Sequence, residues 1–438
     1  MIRFVTSLVW VAPLSLAACS FAANSAADAT VKKDAVTVDA AIDAPGNCTP
    51  TCSGNKVVCG VAETVCPLTC SATGGAHCTQ YTPSNGATLA DLDTIVDGSG
   101  DLVVAAALRI NSDNGEIKDV AQNTTRRTAG EGVENGIRFR AISNSIALLA
   151  FDDFSIDSGG SVRVIGNRAL IILARNNITL MGEVDIDGGR AADNSANGAG
   201  GGAGAVGASA ATGCSAGQNG GNNNGFGGGA GGAFGLASGK GGSNLGGASS
   251  PRCMALLRDN LQGGSGGGRG GDTDTGGAGG GGGGAIQFSA LLSIQVGAQV
   301  GALLHANGSG GQAKQADKRG GGGGGAGGGF LFEAPSVTIA ANAIVVANGG
   351  AGGDGKDTPN GDGQPGQRDT TDAKGGGNGG NGGSVASPAN NGTGNANDGG
   401  GGGGASVGKI EVRAGNAGPV NANAIVSPTP AVNVLTGI

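Results

Sequence analysis

Three runs of six glycines each precede a short apolar stretch built on one pattern. The runs occupy residues 279–284, 320–325 and 399–404. The pattern reads apolar, any, apolar, any, Ala, and it occurs at residues 286–290, 330–334 and 410–414, with a fourth copy at 170–174. Alternation with a period of two is typical of a β-strand and not of a helix. The chain is therefore predicted to consist of repeated strands separated by glycine-rich insertions.

The glycines are concentrated in the second part of the chain. Of the 96 glycines, 78 lie in residues 190–438, and no Gly-X-Y triplet persists there, which argues against collagen. Ordering the backbone costs roughly 1–2 kcal/mol per residue, and glycine has no side chain to bury in return. We therefore expect either mobile loops or polyglycine strands that are held together by backbone hydrogen bonds.

Short alternating segments also crowd the region before the first glycine-rich insertion. They predict closely spaced strands at residues 154–156, 162–164, 170–172, 178–180 and 184–186. Such spacing favours an all-β fold of the right-handed parallel β-helix (β-solenoid) type, with long glycine-rich insertions at its corners and a small disulfide-rich module before it. The alternative is a sandwich of antiparallel hairpins with a tight turn at Asn176 and Asn177. Hairpin turn signals are absent between most of these strands, so we favour the β-helix.

The N-terminus has the features of an export signal. Arg3 is followed by an apolar run that is too short to span a bilayer, and Leu16-Ala17-Ala18-Cys19 resembles a bacterial lipobox. We predict a lipoprotein signal peptide at residues 1–18 with lipidation of Cys19, against the alternative of an ordinary secretory cleavage site. In bacterial lipoproteins, a serine after the cysteine, here Ser20, favours the outer membrane.

The remaining cysteines agree with an oxidising compartment. Six of them form a compact group in residues 47–80, and the last two lie in the first glycine-rich insertion, where we expect them to pair. The disulfide candidates are Cys48, Cys52, Cys59, Cys66, Cys70, Cys78, Cys214 and Cys253. Fifteen pairings are possible within the group, and the sequence does not choose among them. A zinc site there is disfavoured because no Cys-x-x-Cys pair occurs.

These features divide the chain into five predicted parts. The signal peptide is followed by a flexible spacer at residues 19–46 and by the disulfide-rich module at 47–80. A cap at 81–138 is expected to cover the first exposed edge of the repeat array. The β-solenoid with its glycine-rich insertions takes up residues 139–438.

Few side chains in the sequence point to catalysis. The two histidines are His77, among the cysteines, and His305, at a predicted strand end. Asp185 and Asp187 alternate with apolar residues and should point outward together, with Glu183 before them and Asp152 and Asp153 expected nearby. Two carboxylates on one face are suited to glycoside cleavage, but they also serve to keep an outer face hydrated. The predicted mature chain has no tryptophan and one tyrosine, which argues against a sugar cleft. We predict no catalytic residue, no metal site and no cofactor.

Several of these features together resemble a known group of proteins. The lipobox, the Asp-rich and Ala-rich spacer, the Cys-x₃-Cys module, residues 83–86 and residues 162–189 followed by glycine-rich repeats are similar to uncharacterised glycine-rich lipoproteins of myxobacteria and related bacteria. That family has no assigned activity. The resemblance implies a lipoprotein, and with Cys19 and Ser20 we expect it to be anchored in the outer membrane through lipidated Cys19. We expect the chain to face the cell surface, although the sequence does not distinguish this from the periplasmic face.

The function expected from these features is structural or adhesive and not enzymatic. Expected partners are the outer membrane and a polysaccharide or protein of the cell surface or matrix. The formal net charge of −7 argues against nucleic-acid binding. The alternative is a β-helix that binds or cleaves polysaccharides, and a third possibility is a flat face that binds ice or mineral surfaces.

Overall fold

A computed structural model of the chain describes most of residues 49–435. It leaves out 54–55, 60–61, 67, 69, 73–75, 96–97, 190–194, 223–225, 273–275, 298–300, 314–318, 356–360, 386, 395–398 and 416–417. The predicted signal peptide, Cys19, the spacer and Cys48 lie outside the described residues. Within them the fold is all-β, as predicted, with one turn of 3₁₀ helix at Leu89–Asp91 and no α-helix. No helix in this part of the chain is long and apolar enough to cross a membrane.

The strands before residue 142 form the first part of the fold. They are β1 (Thr51–Ser53), β2 (Lys56–Cys59), β3 (Ala62–Val65), β4 (Cys70–Ser71), β5 (His77–Cys78), β6 (Leu102–Val104), β7 (Ala107–Asn111), β8 (Ile117–Asp119), β9 (Thr124–Arg127), β10 (Gly132–Glu134) and β11 (Ile137–Ala141).

The strands after this point follow one another closely, except where the glycine-rich insertions separate them. They are β12 (Ile146–Phe151), β13 (Phe154–Ile156), β14 (Ser161–Ile165), β15 (Ala169–Ala174), β16 (Asn177–Leu180), β17 (Glu183–Asp185), β18 (Ala285–Ala290), β19 (Ser293–Val296), β20 (Leu303–His305), β21 (Gly329–Ala334), β22 (Ser336–Ile339), β23 (Ile344–Val346), β24 (Lys409–Ala414), β25 (Ile425–Ser427) and β26 (Ala431–Val434).

Three large sheets contain nearly all of these strands. The first sheet has the order β10-β11-β12-β15-β18-β21-β24-β26, the second β22-β19-β16-β13-β6, and the third β25-β23-β20-β17-β14-β7-β8-β9. From β12 to β23, successive strands enter the first, second and third sheet in turn, and each pairs in parallel with its equivalent one cycle later. This pairing is incompatible with the alternative arrangement of antiparallel hairpins.

The repeated apolar pattern sets the register of the first sheet. Leu170 pairs with Ile286, Ile286 with Phe330, and Phe330 with Ile410. The four copies of the pattern thus stack residue upon residue in β15, β18, β21 and β24. Large side chains continue this stack in the core, where the rings of Phe288 and Phe332 lie 5.7 Å apart and nearly parallel.

The first sheet is covered on both faces, which explains why β12 and β15 consist only of apolar residues. All six residues are buried in each of β12, β15, β18 and β21. One set of side chains packs toward the second and third sheets in a single apolar core. The other set, which includes Leu148 and Ile171, packs against Leu92 and Ile95 from a segment that crosses the outer face. We call this segment, residues 81–95, the docking segment.

Antiparallel strands cover the edges of the first and third sheets on the side of the N-terminal strands. β8 and β9 extend the third sheet beyond β7, and β10 and β11 extend the first sheet beyond β12. These strands belong to the region predicted as a cap, but β6 and β7 from the same region pair in parallel with β13 and β14. β11 also spans the predicted boundary at residue 139. The region therefore contributes to the sheets as well as covering their edge.

Disulfides hold the N-terminal module and one glycine-rich insertion. The structure pairs Cys52 with Cys70 and Cys66 with Cys78 in the module, and Cys214 with Cys253 in the insertion. Cys59 is also disulfide-bonded. In the chain-entropy model, closing a loop of the size between Cys214 and Cys253 stabilises the fold by about 4 kcal/mol.

The docking segment is attached to the first sheet by a buried polar network around Glu333. The Glu333 side chain is fully buried in β21 and accepts hydrogen bonds from Ser84, Ser289, Gln287 and Arg413. The Tyr81 hydroxyl lies 2.9 Å from the Glu333 carbonyl oxygen. Burial, followed by the charge of Glu333, raises the pKa of Tyr81 well above its ordinary value, so the hydroxyl keeps its proton and acts as a donor.

A second polar anchor of the docking segment is Asp91. Its carboxylate accepts hydrogen bonds from Arg140 Nε at 2.8 Å and Nη2 at 2.7 Å, and from Thr88 N and Oγ1, both at 3.0 Å. Burial raises the pKa of Asp91, but the hydrogen bonds from Arg140 and Thr88 outweigh this effect and lower it below the ordinary 3.8. The charged form is therefore the one that the fold stabilises.

Asp91→Asn should destabilise the protein at neutral pH by about 2 kcal/mol, since hydrogen bonds to a charged group are lost. Because the folded-state pKa is depressed, the contribution is fully present above the ordinary pKa of 3.8 and is lost as the pH falls through the folded value. Thermal unfolding at pH 7, 5 and 3 checks this. The two proteins should converge at low pH, whereas the exposed neighbour Asp93, changed to Asn, should match the wild type throughout. A gap that persists unchanged at pH 3 would contradict the assignment.

The glycine-rich insertions all leave the sheets at one corner. They follow β17, β20 and β23, which are neighbours in the third sheet, and return to β18, β21 and β24, which are neighbours in the first sheet. The described parts of residues 186–284, 306–328 and 347–408 therefore stack beside one another. They form a body of extended backbone joined by many backbone hydrogen bonds, which we call the glycine bundle.

Residues 320–328 lie at the centre of the glycine bundle and bond to neighbours with a period of three. The amides of Gly321, Gly324 and Gly327 donate to one neighbouring segment, at Gly400, Gly403 and Ser406. The amides of 322, 325 and 328 donate to a second segment at 312, 309 and 306, and those of 323 and 326 to a third at 268 and 265. The carbonyls of 320–326 accept from three further segments in the same rotation, at 277–283, 229–232 and 350–353.

This pattern defines the conformation of the bundle. Three residues per turn is the repeat of the polyproline II helix, which has no internal hydrogen bonds and leaves every amide free to bond outward. The segment 320–328 therefore has six neighbours, three that accept hydrogen bonds from it and three that donate to it. Of the two possibilities raised by the composition, the described parts of the insertions adopt the hydrogen-bonded one.

Close approach of the segments explains the need for glycine in the bundle. A Cβ placed on Gly323 would lie 2.0 Å from the carbonyl oxygen of Ala230, and one on Gly325 would lie 2.0 Å from that of Gly281. Neither oxygen can move without breaking its own hydrogen bond. At these positions backbone atoms leave no room for a side chain. The close packing of the segments therefore explains why the bundle is rich in glycine.

Candidate functional site

The third sheet ends beside the glycine bundle in a group of three acidic residues and one histidine. Glu183 and Asp185 lie in β17, Asp187 follows this strand, and His305 ends the adjacent strand β20. In the parallel register, Asp185 pairs with His305. We call these four residues the corner cluster, since both chains turn into the glycine bundle immediately afterwards.

His305 contacts all three acidic residues. Its Nε2 lies 2.8 Å from Glu183 Oε1, while its Nδ1 lies 2.8 Å from Asp187 Oδ2 and 3.8 Å from Asp185 Oδ1. The imidazole is completely buried, whereas the three carboxylate side chains keep 35%, 17% and 24% of their surface, in the order Glu183, Asp185, Asp187. The cluster is therefore closed around the ring and open to solvent on the carboxylate side.

The two ring nitrogens differ in their bonding. Nε2 is hydrogen-bonded to Glu183, but Nδ1 has no hydrogen-bond partner among the described residues. Nδ1 and Asp187 Oδ2 are within hydrogen-bonding distance, but the contact fails the angular requirement of a good hydrogen bond, so we treat it as a poorly aligned bond in which the charge of Asp187 dominates. Burial alone would lower the pKa of His305, but Asp187, Asp185 and Glu183 together raise it above its ordinary value. The surroundings therefore favour a positive charge at the ring.

Neighbouring groups hold the carboxylates in place. Arg163 lies 3.3 Å from Asp185 Oδ2, and Arg368, from the third glycine-rich insertion, lies 3.1 Å from Glu183 Oε1. The backbone amide of Asn307 donates to Asp187 Oδ1 at 2.5 Å, and that of Asp187 donates to Asp185 Oδ1 at 3.0 Å. The acidic oxygens are thus fixed by the same turns that lead into the glycine bundle.

Other residues singled out in the sequence lie in different surroundings. Asp152 and Asp153 form a second acidic group with Asp101, and their carboxylates contact Asn176. Asp152 is also 3.4 Å from Arg175 Nε. His77 lies in the small disulfide-bonded sheet formed by β4 and β5. The structure thus joins Asp185 and Asp187 with Glu183 and His305, and places Asp152 and Asp153 with a different set of partners.

An apolar groove of about 390 Å³ lies at the other side of the first sheet, next to β24 and β26. Its walls include Leu236, Leu256, Val385, Pro428 and Lys409. Lys409 Nζ donates to the Cys253 carbonyl oxygen at 2.8 Å and lies 4.6 Å from the centre of the Phe234 ring. Burial is the main cause of the lowered pKa of Lys409. This lysine is therefore bound to the wall of the groove, whose other polar side chains are Ser384, Glu411 and Thr429.

Comparison of the chain with protein-family models, with curated proteins and with solved structures finds no match.

Proposed function

We propose that this chain is an outer-membrane-anchored surface lipoprotein with a structural or adhesive, non-catalytic role, built on a right-handed parallel β-helix. The cyclic order of the strands through the three sheets supports the β-helix, because each cycle repeats one turn of such a coil. A right-handed winding is the usual hand of parallel crossovers.

The observation that carries the proposal is the six-neighbour packing of residues 320–328. A mobile glycine-rich chain would act as a flexible linker. A bundle whose central segment is bonded to six others is instead a stiff body that projects from one corner of the coil. A stiff projection suits a protein that spaces or joins surfaces, and it keeps its shape without a large apolar core.

Export of the chain is supported by its cysteines and its N-terminus. Disulfides such as Cys214–Cys253 form and persist in oxidising compartments. The proposed lipid on Cys19 would anchor the chain in the outer membrane, with the spacer lifting the fold away from the bilayer. The partner in this proposal is a polysaccharide or protein of another cell or of the matrix.

The test uses cells that carry the full-length chain. Lys240 and Arg252 are exposed in the first insertion, so trypsin added to intact cells should cut there if the bundle faces outward. Cells that lack the protein should attach more weakly to matrix-coated surfaces, and the intact chain should restore attachment. Protection from trypsin until the outer membrane is opened would contradict the surface location, and unchanged attachment without the protein would contradict the adhesive role.

Polysaccharide cleavage or binding is the second candidate, and the corner cluster is what favours it. Asp185, Asp187 and His305 offer ligand or acid–base atoms within 4.8 Å of one another, in part open to solvent. Release of reducing ends from a panel of matrix polysaccharides, abolished by Asp187→Asn, would favour this function over the structural one.

A further inference from the structure

The geometry of the corner cluster points to a binding site for a divalent transition-metal cation of the zinc class, with His305 Nδ1 and the carboxylates of Asp185 and Asp187 as ligands. We propose Glu183 as the residue that positions the histidine. The inference concerns a site that the proposed surface role neither requires nor explains.

The first argument is the unsatisfied nitrogen of a fully buried ring. A buried polar atom without a hydrogen bond is costly, by about 1–3 kcal/mol. Nδ1 of His305 is such an atom, and it faces two carboxylate oxygens at 2.8 and 3.8 Å. With the ring proton on Nε2, three lone pairs would converge on one point. A cation bound among the three atoms relieves this repulsion. A second ring proton would relieve it less well, because Asp187 is poorly aligned to accept a hydrogen bond from it.

The second argument is the hydrogen bond on the far side of the ring. Histidines that bind a metal through one nitrogen commonly donate the other N–H to a carboxylate, which fixes the tautomer and the orientation of the ring. Glu183 Oε1, at 2.8 Å from Nε2, occupies this position. Glu183 is itself held by Arg368 at 3.1 Å. The lone pair of Nδ1 is thereby aimed at Asp185 and Asp187.

The distances suit a small cation. A tetrahedral ion with bonds of about 2.0–2.1 Å to nitrogen and oxygen separates neighbouring ligand atoms by about 3.3 Å. The two observed separations lie on either side of this value, and all three ligand atoms are within 4.8 Å of one another. Three protein ligands leave a fourth position for water on the side where the carboxylates are exposed.

The ligand types select the class of metal. Calcium and magnesium take oxygen ligands, usually six or more, whereas an imidazole nitrogen with carboxylates suits zinc and its neighbours in the first transition row. The cation would join β17 to β20 at the points where two glycine-rich insertions begin. It would therefore fasten the glycine bundle to the third sheet.

The experiment titrates the full-length chain, purified in detergent without a polyhistidine tag and stripped with a chelator, with ZnCl₂ in competition with a chelating indicator. We expect one Zn²⁺ per chain, a rise in thermal midpoint on binding, and no such rise with CaCl₂. Substitution of Co²⁺ should give the visible absorption of a low-coordinate site. His305→Gln should weaken binding at least about 100-fold and Glu183→Gln by about 10–100-fold.

Two controls separate this site from incidental binding. His77→Gln removes the only other histidine of the chain and should leave zinc affinity unchanged. Asp187→Asn keeps the shape of a ligand and serves as a second variant if His305→Gln melts early in the presence of chelator. Absence of zinc binding by the wild type, equal binding by folded His305→Gln or Asp187→Asn, or loss of binding in His77→Gln would each overturn the proposal.

Discussion

Gly323→Ala should lower the free energy of unfolding by about 2–3 kcal/mol, the cost of overpacking a closely packed interior. The added Cβ would lie 2.0 Å from the carbonyl oxygen and 2.4 Å from the carbonyl carbon of Ala230. Both are backbone atoms, so no rotation of a side chain relieves the contact. The effect should spread, because the same segment is bonded to six others and any shift lengthens several hydrogen bonds at once.

The measurement combines thermal unfolding with hydrogen exchange of the glycine amides. Exchange of the amides in 320–328 should accelerate in Gly323→Ala before that of the amides in β15 and β18. Gly221→Ala is the matched control, since its Cβ would meet Leu245 at an ordinary 3.4 Å. It should have little effect or stabilise slightly by restricting the unfolded chain. Equal behaviour of the two variants would mean that the close-packed bundle does not persist in solution.

Removal of Arg413 is expected to have a comparable effect by a different mechanism. Arg413→Met should destabilise the protein by about 3 kcal/mol, because it leaves the carboxylate of Glu333 buried without its charged partner. Ser84, Ser289 and Gln287 still donate to Glu333, which moderates the loss. Since Ser84 belongs to the docking segment, we expect this segment to loosen from the first sheet as well.

A double-mutant cycle checks the coupling. Glu333→Gln combined with Arg413→Met should recover part of the stability, since a neutral amide can replace the carboxylate while Ser84 Oγ turns to accept a hydrogen bond. Lys56→Ala serves as the comparison, because the side chains of Lys56 and its partner Glu63 keep 39% and 51% of their surface. Such a surface pair contributes at most about 1 kcal/mol. Additive losses in the double mutant would show that Glu333 and Arg413 act independently.

The strands of the repeats could be predicted because their side chains alternate between apolar and other residues. In β15, β18, β21 and β24 the alternation of apolar residues follows from the side chains that enter the core, so the pattern also predicted which positions stack. The glycine bundle shows no such pattern. Its period of three lies in the neighbouring segment toward which each backbone amide points. A run of identical glycines does not show which residue of the run faces which neighbour.

The corner cluster was predictable in part. Asp185, Asp187 and Glu183 lie close together in the sequence, and their alternation with apolar residues placed them on an outer face. His305 comes from a strand that lies beyond the first insertion, so spacing alone does not bring it there. The Asp187-Gly188 and Asn307-Gly308 pairs carry the missing signal. Aligned on these pairs, the sequence places His305 beside Asp185, which is the register that the strands adopt.

The threefold repeat of the glycine bundle also restricts how its insertions can change in length. Each residue turns the amide direction by about 120°, so loss of one residue directs every later amide toward the wrong neighbour. Loss of three restores the phase and shortens the segment by one turn. Each six-glycine run is about two such turns long. Insertions and deletions inside the bundle should therefore be tolerated when they add or remove a multiple of three residues. Only such changes keep each later amide directed at its own neighbour.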